Sequence, residues 1–136
     1  PGGTLGRRLL THVRDIMRVG ADLPVVGETA SLAEALLEMT RGGMGMTAIL
    51  DAERRVVGIY TDGDLRRTME RVTDFRNTKV AAVMTANPRT IGADRLAVEA
   101  VEMMESHRIS QLLVTDPRGV LIGALTMHHL MLAKVI

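Results

Sequence analysis

The chain contains the stretch GIYTDGDL at residues 58–65 and a related stretch, GALTMHHL, at residues 123–130. The two stretches lie 65 positions apart, and the segment VRDIM at residues 13–17 likewise returns as VAAVM at residues 80–84. Similarity at a nearly constant spacing through two halves predicts a tandem duplication of one unit. We therefore expect a first repeat at residues 12–72, a joining segment at 73–79 and a second repeat at 80–136.

Both repeats have the same predicted order of elements. In the first, a helix follows Ser31, β-rich runs at 46–50 and 56–60 flank a polar turn, and another helix begins at Thr61. In the second repeat the matching segments are a helix near 95–106, strands at 112–115 and 120–125, and a helix from Thr126. A unit of this size buries little apolar surface alone, so we expect the two copies to pack face to face. The predicted fold class is α/β (α+β), with two pseudo-symmetric repeats, each a small sheet packed against helices.

The composition limits the classes of function. Seventeen Lys and Arg against sixteen Asp and Glu, with one Tyr, one Phe and no Trp, disfavour binding to nucleic acid. The absence of Cys excludes thiolate metal sites and thiol nucleophiles, and it fits a reducing compartment. The apolar runs are too short to span a bilayer, and the first residues do not resemble a signal peptide. We expect a cytoplasmic protein that binds neither nucleic acid nor membrane.

The segment around Thr61 is the strongest candidate for a binding site. A predicted helix begins there directly after a strand, which leaves free backbone N–H groups and the positive end of the helix dipole. A phosphate would be stabilised at this point, with the Thr61 hydroxyl as an added donor. The Asp64 carboxylate could accept hydrogen bonds from a ribose diol. Thr61 and Asp64 also have the spacing of a capping box, which needs no ligand, so a purely structural role stays open.

The second copy keeps the threonine, Thr126, but has His129 in place of the aspartate. A neutral imidazole accepts hydrogen bonds from a diol less well than a carboxylate, and a protonated one favours an anion. The two half-sites are therefore predicted to differ in chemistry. We expect no catalytic residue and no metal site.

The duplication, the Val-x-Asp-Ile-Met opening and the strand–Thr-x-x-Asp–helix element resemble a tandem pair of cystathionine-β-synthase (CBS) domains, known as a Bateman module. The resemblance covers about residues 12–136. It implies a regulatory module that binds nucleotides in clefts between the repeats. It also implies that Thr61 contacts phosphate and Asp64 contacts ribose, whereas in the second repeat only Thr126 carries over and His129 departs from the pattern.

A narrower resemblance, to the arabinose-5-phosphate isomerases, comes from PGGTLGRRLL at residues 1–10 and from GIYTDGDLRR at residues 58–67. In that family a sugar-isomerase (SIS) domain precedes two CBS repeats. The resemblance implies that residues 1–11 are a linker from such a domain and that this chain is the regulatory part, not itself an enzyme. The parent reaction would interconvert ribulose 5-phosphate and arabinose 5-phosphate for the synthesis of Kdo, the acidic sugar of lipopolysaccharide.

This parentage leads to a hypothesis about the ligand. CMP-Kdo, the activated pathway product, is the leading candidate, and an adenine nucleotide such as AMP or ATP is the main alternative. CMP-Kdo carries a carboxylate and a phosphodiester that cationic side chains could pair with. The candidate partners are Arg66, Arg67, Arg108 and His129, and the predicted site also includes Asp62 and Thr47. A ligand-free dimerisation module is the third possibility, and we expect at least a homodimer.

Overall fold

The structure is a computed structural model that describes Gly6 and residues 9–136. The first half contains α1 (Val13–Ile16), a 3-10 turn (Gly20–Asp22), β1 (Val25–Gly27), α2 (Leu32–Gly42), β2 (Met46–Leu50), β3 (Val56–Thr61) and α3 (Asp62–Arg71). The second half contains α4 (Val80–Val83), β4 (Thr85–Ala86), β5 (Thr90–Ile91), α5 (Ala97–His107), β6 (Gln111–Thr115), β7 (Leu121–Thr126) and α6 (Met127–Leu132). Most of the predicted linker at residues 1–11 lies outside the described residues.

The predicted mixed α/β fold class is confirmed. Every helix and strand expected from periodicity is present within one or two residues of its predicted bounds. The sequence patterns missed β1, β4 and β5, which are two or three residues long. Segments this short show no period, so only their pairing partners reveal them as strands.

Local capping explains where the helices begin and end. At the start of α2, Ser31 Oγ accepts the Glu34 N–H at 3.1 Å and caps the helix. At its end, Gly43 adopts a left-handed φ of 66° and donates its N–H to the Met39 carbonyl. One side of α2 is buried, through Leu32, Ala35 and Met39.

The described strands form two sheets with the orders β1-β2-β3-β4 and β5-β6-β7. In each sheet the first strand runs parallel to the second, and the second runs antiparallel to the third. The register shifts between Ile49 and Leu50 in the first sheet and between Val114 and Thr115 in the second. The duplication therefore extends to a local irregularity of the strands.

The segment that opens each repeat packs against the other repeat. Strand β4, from the opening of the second repeat, pairs with β3, and Arg18, from the opening of the first, pairs with Ala124 in β7. Val80 is fully buried in the core of the first repeat, and Val13 is fully buried in the core of the second. The boundaries expected from the sequence assign each opening segment to the repeat that follows it in the chain. In the folded structure, each opening segment packs into the core of the other repeat.

A third apolar cluster joins the two sheets. It brings Met46, Ala48 and Ile59 of the first repeat against Leu113 and Ala124 of the second. Burial of these side chains supplies the attraction between the repeats, because apolar surface is removed from water on both sides. No helix among the described residues is long and apolar enough to cross a bilayer.

Candidate functional site

Two clefts lie where the repeats meet, one beside each repeated strand–helix turn. The first has a volume of about 930 Å³ and is lined by the start of α3, by residues from 85 to 89 and by residues 107–111. The second has a volume of about 410 Å³ and is lined by Arg18, by residues 43–45 and by the start of α6. The linings correspond through the duplication, so the clefts are a pseudo-symmetric pair of unequal size.

Asp64 is the best-connected side chain of the first cleft. Its Oδ2 accepts hydrogen bonds from the Thr61 N–H at 2.9 Å and from the Thr61 hydroxyl at 3.1 Å. Its Oδ1 accepts from Arg67 at 2.8 Å and from the Thr85 hydroxyl at 2.9 Å. The residue is 5% exposed, and these charge-assisted hydrogen bonds compensate the burial of its carboxylate.

The network completes the capping box that the sequence predicts. Thr61 Oγ accepts the Asp64 N–H at 3.2 Å, while the Asp64 carboxylate accepts the Thr61 N–H. A carboxylate offers about four lone-pair sites, and four donors occupy those of Asp64. The structural role of the Thr61–Asp64 pair is therefore present without a ligand. A diol can bind Asp64 only by replacing one of these donors.

Four arginines surround the first cleft, namely Arg66, Arg67, Arg89 and Arg108. Among the described residues, only Arg67 of these four pairs with a carboxylate, that of Asp64. The other three guanidinium groups have no acidic partner in the described part of the chain. Four arginines against the two aspartates of the lining, Asp62 and Asp64, give the cleft a net positive charge beside the start of a helix, an arrangement that favours an anion.

The second cleft repeats the capping geometry with different chemistry. His129 Nδ1 accepts the Thr126 N–H at 3.1 Å, and Thr126 Oγ accepts the His129 N–H at 3.2 Å. Burial is the main cause that lowers the pKa of His129, and the nearby Arg18 and His128 lower it further. Because a protonated Nδ1 cannot accept a hydrogen bond, the cap requires the neutral imidazole. This cleft has no counterpart of the Asp64 carboxylate.

The structure divides the predicted site residues among three places. The first cleft contains Thr61, Asp62, Asp64, Arg66, Arg67 and Arg108. The second contains Thr126 and His129, and Asp62 lines both clefts. Thr47 lies in neither cleft: it is fully buried in β2 and donates its hydroxyl to the Ala48 carbonyl at 3.3 Å. All five residues of β2 are buried, and Thr47 itself is fully enclosed.

Sequence reasoning missed several cleft residues. Thr85 and Arg89 line the first cleft, and Gln111 lines both. Thr85 directly follows the opening segment of the second repeat. The recurrence of that segment in both repeats is the sequence feature that could have indicated Thr85 as a site residue. Nothing in the sequence indicates that this segment crosses to the other repeat.

Residues 13–71 and 80–135 match the CBS domain family. The chain belongs to this family. The CBS pair is also similar to arabinose 5-phosphate isomerase KdsD of Pseudomonas aeruginosa, with 49% identity over 135 residues, 99% of this chain and 41% of that relative. KdsD of Escherichia coli (strain K12) is 46% identical over 136 residues, 100% of this chain and 41% of the relative. The chain spans about two fifths of the length of these curated relatives.

Solved structures share the fold of this CBS pair. The CBS domain protein PAE2072 from Pyrobaculum aerophilum, complexed with AMP, superposes with a TM-score of 0.78 and 20% sequence identity. The match covers 88% of this chain and 89% of that protein. A likeness at this identity concerns the fold, whereas the side chains in the clefts are this chain's own.

Proposed function

We propose that this CBS pair is the regulatory, nucleotide-binding module of a cytoplasmic arabinose 5-phosphate isomerase, and that its first cleft holds the ligand. One observation carries the proposal. The Thr61–Asp64 pair and three arginines without acidic partners face the same cleft between the repeats. An anionic ligand with hydroxyl groups complements this combination of charges and acceptors.

The backbone at Arg108 supports a role in binding. Arg108 has a φ of 53°, the left-handed conformation that glycine and asparagine adopt more readily. It follows the last turn of α5 and lines the first cleft. This φ is that of the left-handed C-cap of α5, and the position places a cationic side chain at the cleft where the corresponding C-cap of α2 has Gly43.

CMP-Kdo is our leading ligand. It has two separate anionic groups, a phosphodiester and a carboxylate, and the first cleft has several arginines to pair with them. Its base would pack on aliphatic side chains, since Ile59, Pro88 and Ile109 line the cleft and no Phe, Tyr or Trp among the described residues does. Sensing of a pathway product would place feedback control on the parent enzyme.

An adenine nucleotide is the second candidate. The observation that favours it is that PAE2072, which shares this fold, is complexed with AMP. An aliphatic slot accepts either base, so the distinction lies in the anionic groups. AMP offers a single anionic group and would leave part of the arginine cluster unpaired, whereas the triphosphate of ATP offers several.

A thermal-melt titration of the chain with CMP-Kdo, CMP, AMP and ATP tests the proposal. A ligand at about 100 times its Kd adds roughly 2.7 kcal/mol to the free energy of unfolding. This corresponds to a rise of several degrees in Tm for a domain of this size. We expect CMP-Kdo to give the largest shift. A shift with adenine nucleotides alone would make the module an adenine-nucleotide sensor, and no shift with any ligand would leave a dimerisation module.

A matched pair of variants locates the bound ligand. Arg108→Asn removes the positive charge of this one side chain from the cleft, and asparagine tolerates a left-handed φ. Arg54→Asn is the control, because Arg54 has a similar φ of 65° and lies in the turn after β2, outside both clefts. We expect the Tm shift to fall in the first variant only. An equal shift in both variants would contradict binding at Arg108.

We further propose that this chain has no isomerase activity alone and forms at least a dimer. Leu37, Met131 and Leu132 are more than half exposed, which supports an apolar contact between copies. Light scattering after size-exclusion chromatography tests the dimer. Incubation with ribulose 5-phosphate, followed by detection of arabinose 5-phosphate, tests the activity.

A further inference from the structure

We propose that the hydrogen bonds from Arg67 and Thr85 to Asp64 compete with the ligand for this carboxylate and set the affinity of the first cleft. This inference rests on the proposed nucleotide-binding function. It concerns the ligand-free arrangement around one carboxylate oxygen, Asp64 Oδ1.

The two oxygens of Asp64 have donors of different kinds. The donors to Oδ2 are the backbone N–H and the hydroxyl of Thr61, which close the first turn of α3. The donors to Oδ1 are the side chains of Arg67, at 2.8 Å, and Thr85, at 2.9 Å. Loss of the first pair would unravel the helix start, whereas the second pair can leave by side-chain rotation. A ligand hydroxyl therefore gains access to Asp64 at Oδ1.

Position in the fold supports the same conclusion. Asp64, Arg67 and Thr85 line both the first cleft and a neighbouring groove of about 350 Å³. The three side chains form the wall between the two spaces. The Arg67 side chain is 59% exposed, whereas that of Asp64 is 6% exposed, so the arginine can swing into solvent while the carboxylate stays in place.

Thr85 connects this wall to the other repeat. It lies in β4, the strand that the second repeat contributes to the first sheet, and its hydroxyl joins that strand to α3. When a ligand hydroxyl replaces Thr85 at Oδ1, this side-chain link is released. The Thr85–Asp64 hydrogen bond then weakens ligand binding, and its loss links ligand binding to the second repeat.

Nucleosides separate this competition from attraction to phosphate. A nucleoside has no anionic group for Arg67 to pair with. Replacement of the arginine therefore removes a competitor for Asp64 without removing an attraction to the ligand. The probes are cytidine and adenosine, titrated against the full chain by NMR, with the amide signals of Thr61 and Gly63 as reporters. The variants are Arg67→Met, which keeps an apolar stem, and Thr85→Val, which keeps the shape of threonine.

We expect each variant to bind the nucleoside of the preferred nucleotide about three- to fivefold more tightly than wild type. Arg71→Met is the matched control, since it removes a positive charge one turn further along α3 that has no contact with Asp64. The gain should vanish when Arg67→Met is combined with Asp64→Asn. Equal or weaker nucleoside binding in both variants, including no detectable binding, overturns the inference. Failure of the proposed function itself is a separate result: the Tm of the wild-type chain then rises with none of CMP-Kdo, CMP, AMP and ATP.

Discussion

Asp64 and His129 occupy the same position in the two repeats and perform the same capping task with acceptors of different charge. Each side chain accepts the N–H of the threonine three residues before it. The carboxylate accepts in its charged form, whereas the imidazole accepts only when neutral. The duplication has therefore preserved a hydrogen bond while changing the charge that lines each cleft.

His129→Gln tests this difference. The folded state lowers the pKa of His129 below its ordinary 6.5, so the unfolded chain binds the proton first as the pH falls. The stabilisation is present above pH 6.5 and is lost as the pH falls from 6.5 through the folded-state pKa. Glutamine keeps a capping acceptor and does not titrate. We expect the free energy of unfolding, measured with urea between pH 8 and 5, to fall less in the variant than in wild type.

The neighbouring histidine provides the control for this experiment. Because His128 contributes least to the lowering of the His129 pKa, His128→Gln should reduce the pH dependence less than His129→Gln does. If His129→Gln and wild type lose stability in parallel, His129 is not the group that titrates.

A substitution at Gly123 tests the close contact between β7 and the opening segment of the first repeat. A Cβ at this position would lie 2.4 Å from Met17 Sδ and 3.2 Å from the Arg18 carbonyl oxygen. We expect Gly123→Ala to lower the free energy of unfolding by about 1–3 kcal/mol, since the opening segment must shift. Gly27→Ala is the control, because a Cβ there meets nothing within 4 Å. Urea unfolding measures both.

A double-mutant cycle assigns the effect to the contact itself. In a Met17→Ala background the sulfur is gone, so the penalty of Gly123→Ala should shrink. A penalty that stays the same would place its cause in the remaining contact with the Arg18 carbonyl oxygen.

At the scale of the element, helix α5 shows how a helix begins without a capping side chain at its first position. The N-cap residue is Leu96, which has no side-chain acceptor. Glu99 accepts the Leu96 N–H at 2.7 Å and pairs with Arg95 at 2.6 Å. The hydrogen bond from Arg95 is the main cause that lowers the pKa of Glu99 to about 2, with the Leu96 N–H next.

Glu99→Gln should remove an acid-sensitive part of the stability. The folded-state pKa of Glu99 lies below its ordinary 4.5, so this contribution is present above pH 4.5 and is lost as the pH falls toward about 2. We expect the variant to be less stable than wild type at pH 7, and the difference to narrow at pH 3. Glu102→Gln on the same helix is the control, and urea unfolding at the two pH values is the measurement. A difference that is independent of pH would contradict this role.

At the scale of the molecule, the exchange of opening segments makes the two repeats interdependent. Each core includes one valine from the opening segment of the other repeat, Val13 or Val80, and both are fully buried. The backbone reinforces this contact, since Arg18 and Ala124 exchange hydrogen bonds of 2.8 and 3.0 Å. A single repeat would expose the apolar surface that the partner's segment covers.

Separate expression of the two halves tests this interdependence. Residues 9–79 and 80–136, each alone, should lack a cooperative thermal transition, because each core is incomplete. Mixing the halves should restore the transition, because each opening segment can then pack into the core of the other half. A cooperative transition in either half alone would show that the exchanged segment is dispensable for that core. Circular dichroism during heating provides the measurement.

The sequence alone determined the features that depend on neighbours along the chain. The duplication, the strands β2, β3, β6 and β7, and the Thr61–Asp64 cap follow from periodicity and three-residue spacings. Such signals lie within a short segment and reflect the geometry of one helix or strand. For the same reason the first-cleft residues on α3 were found together.

Tertiary structure alone decided which segments meet across the repeats. Thr85 reaches Asp64 from 21 positions away, and Arg18 lines the second cleft because the opening segment of the first repeat packs on β7. Thr47 was expected in the site but is enclosed in β2, a strand buried on both faces. Local patterns do not encode these relations, because the burial of a strand and the path of a crossing segment depend on contacts between distant parts of the chain.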